Sequence, residues 1–261
     1  MSLKHWLQQH SRLFKPARKR SSLRYGRRRL ASFLSAPSTQ PWRTESLESR
    51  ILPASLTWVG DLSPLWAATS NGGTNTNWSG DSFPTDGDSL AFTGAATGIL
   101  GNDTIANNSY SLSFASGNYT ITGNSIRLDN AGTDVIQIAG PNLLQTPLQL
   151  DASSVDVQAG VLDLQGAVTG TAGLTKLGSG TLILTGPASF TGGTVVQSGA
   201  LQVDGSYSGT DPISVDAAAI LAGDGSIGGS VTLAGLLNPG QLAGASAPIG
   251  DLQVASLNMT S

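Results

Sequence analysis

From residue 110 onward the chain repeats one small pattern: two apolar residues at i and i+2, a polar residue between them, and turn formers on either side. The pairs are Leu112/Phe114, Ile126/Leu128, Ile136/Ile138, Leu148/Leu150, Val155/Val157 and Leu162/Leu164. They continue as Leu182/Leu184, Leu201/Val203, Ile213/Val215, Val231/Leu233 and Leu252/Val254. Alternation with period two sends each pair to one face of a strand and the intervening Thr, Asp or Gln to the other. Glycine falls in nearly every interval, where the chain has to bend. No stretch sustains a 3.6-residue period, and Glu and Lys, which favour helices, are almost absent beyond residue 50. The pattern predicts an all-β body.

Two architectures use such strands. An antiparallel β-sandwich joins them by tight hairpins and is the alternative kept open. A β-solenoid winds the chain so that like residues of successive turns stack. Leu162, Leu182 and Leu201 are separated by 20 and 19 residues, close to a fixed period at the short end of solenoid repeats. The inward set is also mostly aliphatic, which suits identical stacked layers. The reading is therefore a right-handed parallel β-helix, with roughly 5–10 turns across residues 55–261.

Charge divides the chain. Residues 1–50 hold 12 of the 14 Lys and Arg and 2 of the 17 acids, a net of 12 − 2 = +10. Residues 51–261 hold only Arg127 and Lys176 against 15 Asp, a net of 2 − 15 = −13. That body has no His, Cys or Glu. A Ser-His-Asp or Cys-His nucleophile system, an imidazole or thiolate metal site and a disulfide are all excluded there. Only Asp-based catalysis survives composition.

Residues 1–44 contain no acid and run through Lys15–Arg20 and Arg27–Arg29, the composition of a disordered, solvated targeting leader. No folded nucleic-acid reader accompanies it, so nucleic acid is not an expected partner. Residues 47–53, Leu-Glu-Ser-Arg-Ile-Leu-Pro, resemble the L-E-P-R-x-L-L motif of exported planctomycete-type bacterial surface proteins. Leu47, Glu48, Arg50 and Leu52 match, while Ser49 and Pro53 depart from it. The resemblance implies export machinery acting on the leader.

Residues 173–203 resemble the autotransporter-associated β-strand repeat. Its pattern L-x-K-x-G-x-G-T-L-x-L-x-G, then [YF]-T-G-G-T-x-V-x-x-G-x-L-x-V, is carried by Lys176, Gly178, Gly180, Leu182, Leu184 and Gly186. It continues through Phe190, Gly192, Gly193, Gly199, Leu201 and Val203. Gly192-Gly193 permits a sharp corner, which Phe190 is expected to cover. Gly223–Gly229 and Leu237–Gly240 resemble closing turns, and Trp58, Asn77–Ser79, Pro84 and Gly87–Ser89 resemble the cap that begins such domains. The expected organisation is a leader over 1–54, an N-terminal cap over 55–94 and the solenoid over 95–261.

Asp81, Asp86 and Asp88 have the residue type for a Ca²⁺ site, but Asp in Pro-Thr-Asp-Gly-Asp ordinarily caps turns, and no calcium-repeat or EF-hand spacing occurs. Trp58, Trp66 and Trp78 could stack on sugars, though a lid over the first core layer is the preferred reading. No run reaches about 20 apolar residues, so no transmembrane segment is expected. No cofactor is expected either. The function expected is a non-catalytic, secreted or cell-surface, adhesin-like scaffold. A carbohydrate-binding module and, behind it, an Asp-based polysaccharide hydrolase are the alternatives. The sequence closes on what reads as a strand, which predicts self-association or a surface polysaccharide or protein partner.

Overall fold

The structure is a computed structural model that describes residues 53–260, apart from 61, 71–74, 95–97, 130–133, 138–139, 152 and 243–249. Leu47, Glu48, Arg50 and Leu52 lie outside the described residues. Among those described there is no α-helix. Strands fall in three main sheets of eleven, eight and four strands, and every pairing within them is parallel. That excludes the antiparallel sandwich and makes the body a β-solenoid.

One turn shows the construction. The chain passes through Ser153–Val157 in the first sheet, Val161–Leu164 in the second and Val168–Gly170 in the third, then re-enters the first at Leu174–Leu177. Short runs of β-branched and aliphatic residues favour a pleated, half-buried surface, and the turns between them break each run before it lengthens. In the second sheet, Leu144, Leu164, Leu184 and Val203 are register partners, spaced by 20, 20 and 19 residues. Beside them stand Leu162, Leu182, Leu201 and Leu221. All of these are buried. Each inward Leu therefore packs on a Leu or Val of the turn above and below, which is how a thin repeat obtains a continuous core.

One strand is shifted from the expected alternation. The alternation predicts Ile136 and Ile138 to point inward, but the register of Val135–Gln137 places Val135 in line with Leu112 and Val155. Val135 is buried. Ile138 lies outside the described residues. A one-residue slip reverses the two faces of a strand, and local sequence cannot distinguish the registers when both neighbours are β-branched.

The N-terminal turns are built differently. Trp58, Trp66 and Trp78 are buried. Trp58 and Trp66 meet Trp78 edge-on, with centroids 5.1 and 5.6 Å apart. Phe92 stacks on its register partner Phe114 at 5.0 Å and an interplanar angle of 12°. An antiparallel pair, Thr69–Ser70 with Asn75–Thr76, leads into this cluster. Asn77 holds the loops together. Its Nδ2 donates to the carbonyls of Ser63 and Leu65, both at 2.7 Å, and its Oδ1 accepts from the Leu62 amide.

Candidate functional site

The repeat segment is folded around a buried lysine. Leu174 and Lys176 share the inward parity of strand Leu174–Leu177, and Lys176 is fully buried. Its register partners on either side are Val155 and Val196, so an ammonium interrupts an otherwise apolar row. Lys176 Nζ donates to three carbonyls, those of Leu177 at 2.6 Å, Gly178 at 2.9 Å and Ser198 at 3.1 Å. Two belong to its own turn and the third to the next. Ser198 Oγ also donates to the Gly178 carbonyl. Burial pushes the ammonium down to about 8, with Asp156 pulling the other way. Gly178 turns its carbonyl toward this charge from a left-handed backbone, φ 73°.

The other repeat residues frame this clamp. Leu182, Leu184, Leu201 and Val203 form the buried rows described above. Phe190 is fully buried and meets Tyr207 edge-on at 5.1 Å. Gly180 and Gly186 flank strand Thr181–Leu184, and Gly199 opens strand Gly199–Val203. At the Gly192-Gly193 corner the crowding falls mainly on Gly192. A Cβ there would overlap the backbone of Ala172 and Gly173, whereas one on Gly193 would come 3.1 Å from the Pro212 carbonyl.

The aspartates are spent locally. Asp88 is buried, its Oδ1 accepting from the Ala54 amide and its Oδ2 from the amide and hydroxyl of Thr85. Asp86 Oδ1 accepts from the Ser109 amide, and Asp81 Oδ1 from that of Thr76. These three carboxylates thus serve three different backbones. Among the described residues no group of three or more acids is arranged to hold a metal ion. On the outer faces the sequence offers Gln and Asp two residues apart, and period two brings them together: Gln149 to Asp151, Gln158 to Asp156, Gln165 to Asp163, Gln202 to Asp204.

Two carboxylate groupings went unseen in the sequence. Arg127, facing outward from strand Ile126–Leu128, lies 2.8 Å from Asp129 and 3.9 Å from both Asp86 and Asp151. One guanidinium thus links acids from three turns. Asp204 and Asp224 line a polar groove of about 450 Å³ with Ser206, Ser226 and Gln253. Burial pushes the Asp204 carboxyl up, the Gln202 amide opposes this, and Asp224 adds to it. Neither grouping has a sequence signature, because most of its members stand 20 or more residues apart in the chain. The buried tryptophans present no ring face for sugar stacking.

Residues 174–203 match the profile of the passenger-associated-transport-repeat. The chain is also similar to the adhesin BmaC autotransporter of Brucella suis biovar 1 (strain 1330), 34% identical over 201 residues. That alignment covers 65% of this chain, and the chain spans only about 6% of the relative's length. No solved structure matches. No helix among the described residues is long and apolar enough to cross a membrane.

Proposed function

We propose that this autotransporter-associated repeat protein is an adhesin-like scaffold, secreted or held at the cell surface, whose work is done by its outer faces and not by a catalytic centre. The observation that carries the reading is the coincidence of the passenger-type repeat with its clamp, Lys176, at the middle of an adhesin-similar stack. Most outward aspartates are tied to Gln neighbours or backbone amides, which suits solubility and turn formation more than acid–base chemistry. In this reading residues 1–54 address the chain to the export machinery, residues 55–94 close the first layer and residues 95–261 form the stack.

Self-association belongs to the same reading. Strand Gln253–Met259 is the outermost described strand of the first sheet, exposed along most of its length, with Leu257 and Met259 open to solvent. Leu236, on the last strand of the second sheet, is exposed as well. A seven-residue edge without charge is a template for another strand.

The test is protease treatment of intact cells, followed by binding of beads coated with the purified chain to host cells and immobilised polysaccharides. Loss of the chain from intact cells together with saturable bead binding supports the proposal. Retention inside protease-treated cells sinks it. Release of reducing sugar from any bound polysaccharide would replace the scaffold with the hydrolase.

A further inference from the structure

We propose that a shallow groove at the N-terminal end, between Phe83 and Ile105, binds an extended cationic peptide. An aliphatic side chain seats against these two residues, and a Lys or Arg meets Asp86 and Asp103. The inference goes beyond the adhesin reading and does not depend on it.

The groove encloses about 400 Å³, enough for one or two side chains, and its walls include Phe83, Pro84, Thr104 and Ile105. Phe83 is 39% and Ile105 76% exposed, so each leaves apolar surface uncovered beside Pro84. Asp86 and Asp103 also line it. Both carboxylates are fixed in place through one oxygen: Asp86 Oδ1 accepts from the Ser109 amide at 2.7 Å, and Asp103 Oδ1 from the Ala67 amide at 2.7 Å. An acceptor held by the backbone loses little freedom when a cation arrives.

Charge selects the ligand. The body between residues 51 and 261 carries −13. Of its two cations Lys176 is buried, and Arg127 is committed to Asp129 at 2.8 Å while standing 3.9 Å from Asp86. The body therefore disfavours an anionic partner and draws in a cationic one. The choice of peptide over amine-bearing glycan rests on the walls. Aliphatic and proline surface takes an aliphatic side chain, while the tryptophans suited to sugar rings are buried.

The test uses the full chain and a fluorescent, acetylated six-residue peptide of alternating Lys and Leu, read by anisotropy. Saturable binding that weakens as salt rises is expected. The Asp86→Asn/Asp103→Asn variant should weaken it roughly tenfold or more, and Ile105→Ser several-fold. Both Asn side chains keep the oxygen that accepts from Ser109 and Ala67, so an unchanged circular dichroism spectrum is expected for that pair. Asp216→Asn/Asp251→Asn, both exposed positions away from the groove, makes the same change in charge and should leave binding intact. Equal losses in the two pairs, or hexalysine binding as tightly as the alternating peptide, would reduce the effect to bulk charge and overturn the site. Binding of a chitosan hexamer through Asp86 and Asp103 without the peptide would overturn the assignment of ligand.

Discussion

The N-terminal turns and the repeat segment bury comparable layers by opposite means. Around Trp58, Trp66 and Trp78 the polar contacts are particular to each residue: Trp78 Nε1 donates to the Trp66 carbonyl, Asn77 to two loop carbonyls, and Asp88 ties Ala54 to Thr85. In residues 174–203 the layers are near copies, and a Leu lost from one row is flanked by others. A periodic stack supplies each layer with a neighbour but gives its first layer nothing to pack against. In the cap reading proposed above, residues 55–94 close that layer with residues that do not repeat. Lys176 is the exception inside the stack, a single residue with a specific task amid interchangeable ones.

The strongest way to break that contrast is Trp78→Ala, which removes a fully buried ring and both of its tryptophan contacts. A loss of about 3–5 kcal/mol is expected from the removed ring and the cavity left behind. The measurement is denaturant unfolding, and the prediction includes early loss of amide protection in residues 55–92. If protection falls uniformly instead, the end is not a separate specification.

Gly192→Val tests the repeat's own irregularity. Its added atoms meet backbone and no flexible side chain, so a destabilisation of about 2–3 kcal/mol is expected, larger than for Gly193→Val. Equal thermal midpoints for the two variants would mean the corner relaxes freely.

Lys176→Met sharpens the comparison by making the row fully apolar. Three buried carbonyls then lose a charged donor, and a net loss of about 1–3 kcal/mol is expected. Replacing a buried charge by an apolar group can also stabilise, so a gain would identify the lysine as a register device and not a source of stability. Its pH signature is separate. The folded pKa of about 8 lies below the ordinary 10.5, so both states are protonated below pH 8 and stability is flat. Between 8 and 10.5 the unfolded chain binds more protons, and stability rises with pH. Tyr110 and Tyr207, whose phenols burial pushes up, act in the opposite direction above their ordinary 10. The rise should therefore be read between 8 and 10, as the difference between wild type and Lys176→Met. A flat difference would mean the three carbonyls hold the proton against burial.

The smallest effect on stability is expected at the far end. Leu257→Asp and Met259→Asp should change unfolding by about 0.5 kcal/mol or less, as exposed positions do, while reducing association measured by light scattering. A clean wild-type monomer at high concentration would remove the self-association proposal.

The stack itself was legible. Leu162, Leu182 and Leu201 announced the period, and the 174–203 motif was complete in the chain. Parity also contained the signal for Lys176, two residues after the inward Leu174, but a lysine ordinarily reads as a solvated cation and composition pointed outward. For the aspartates the sequence already favoured turn capping over calcium, and the structure supplied the partners, backbone amides for Asp81, Asp86 and Asp88.

What the sequence alone determined was whatever depends on neighbours two residues apart or on a repeat of about 20: the faces of most strands, turns, and the β-solenoid class. Tertiary structure decided what depends on residues brought together by winding. Val135 took the row in place of Ile136 because the turns above and below fixed its register. Arg127 gathered Asp86, Asp129 and Asp151 because three turns place them on one face. Lys176 became a clamp because the Ser198 carbonyl, 22 residues later, reaches its ammonium only when the next turn has been laid down. Local patterning sets which face is buried; stacking sets what a buried or surface charge finally meets.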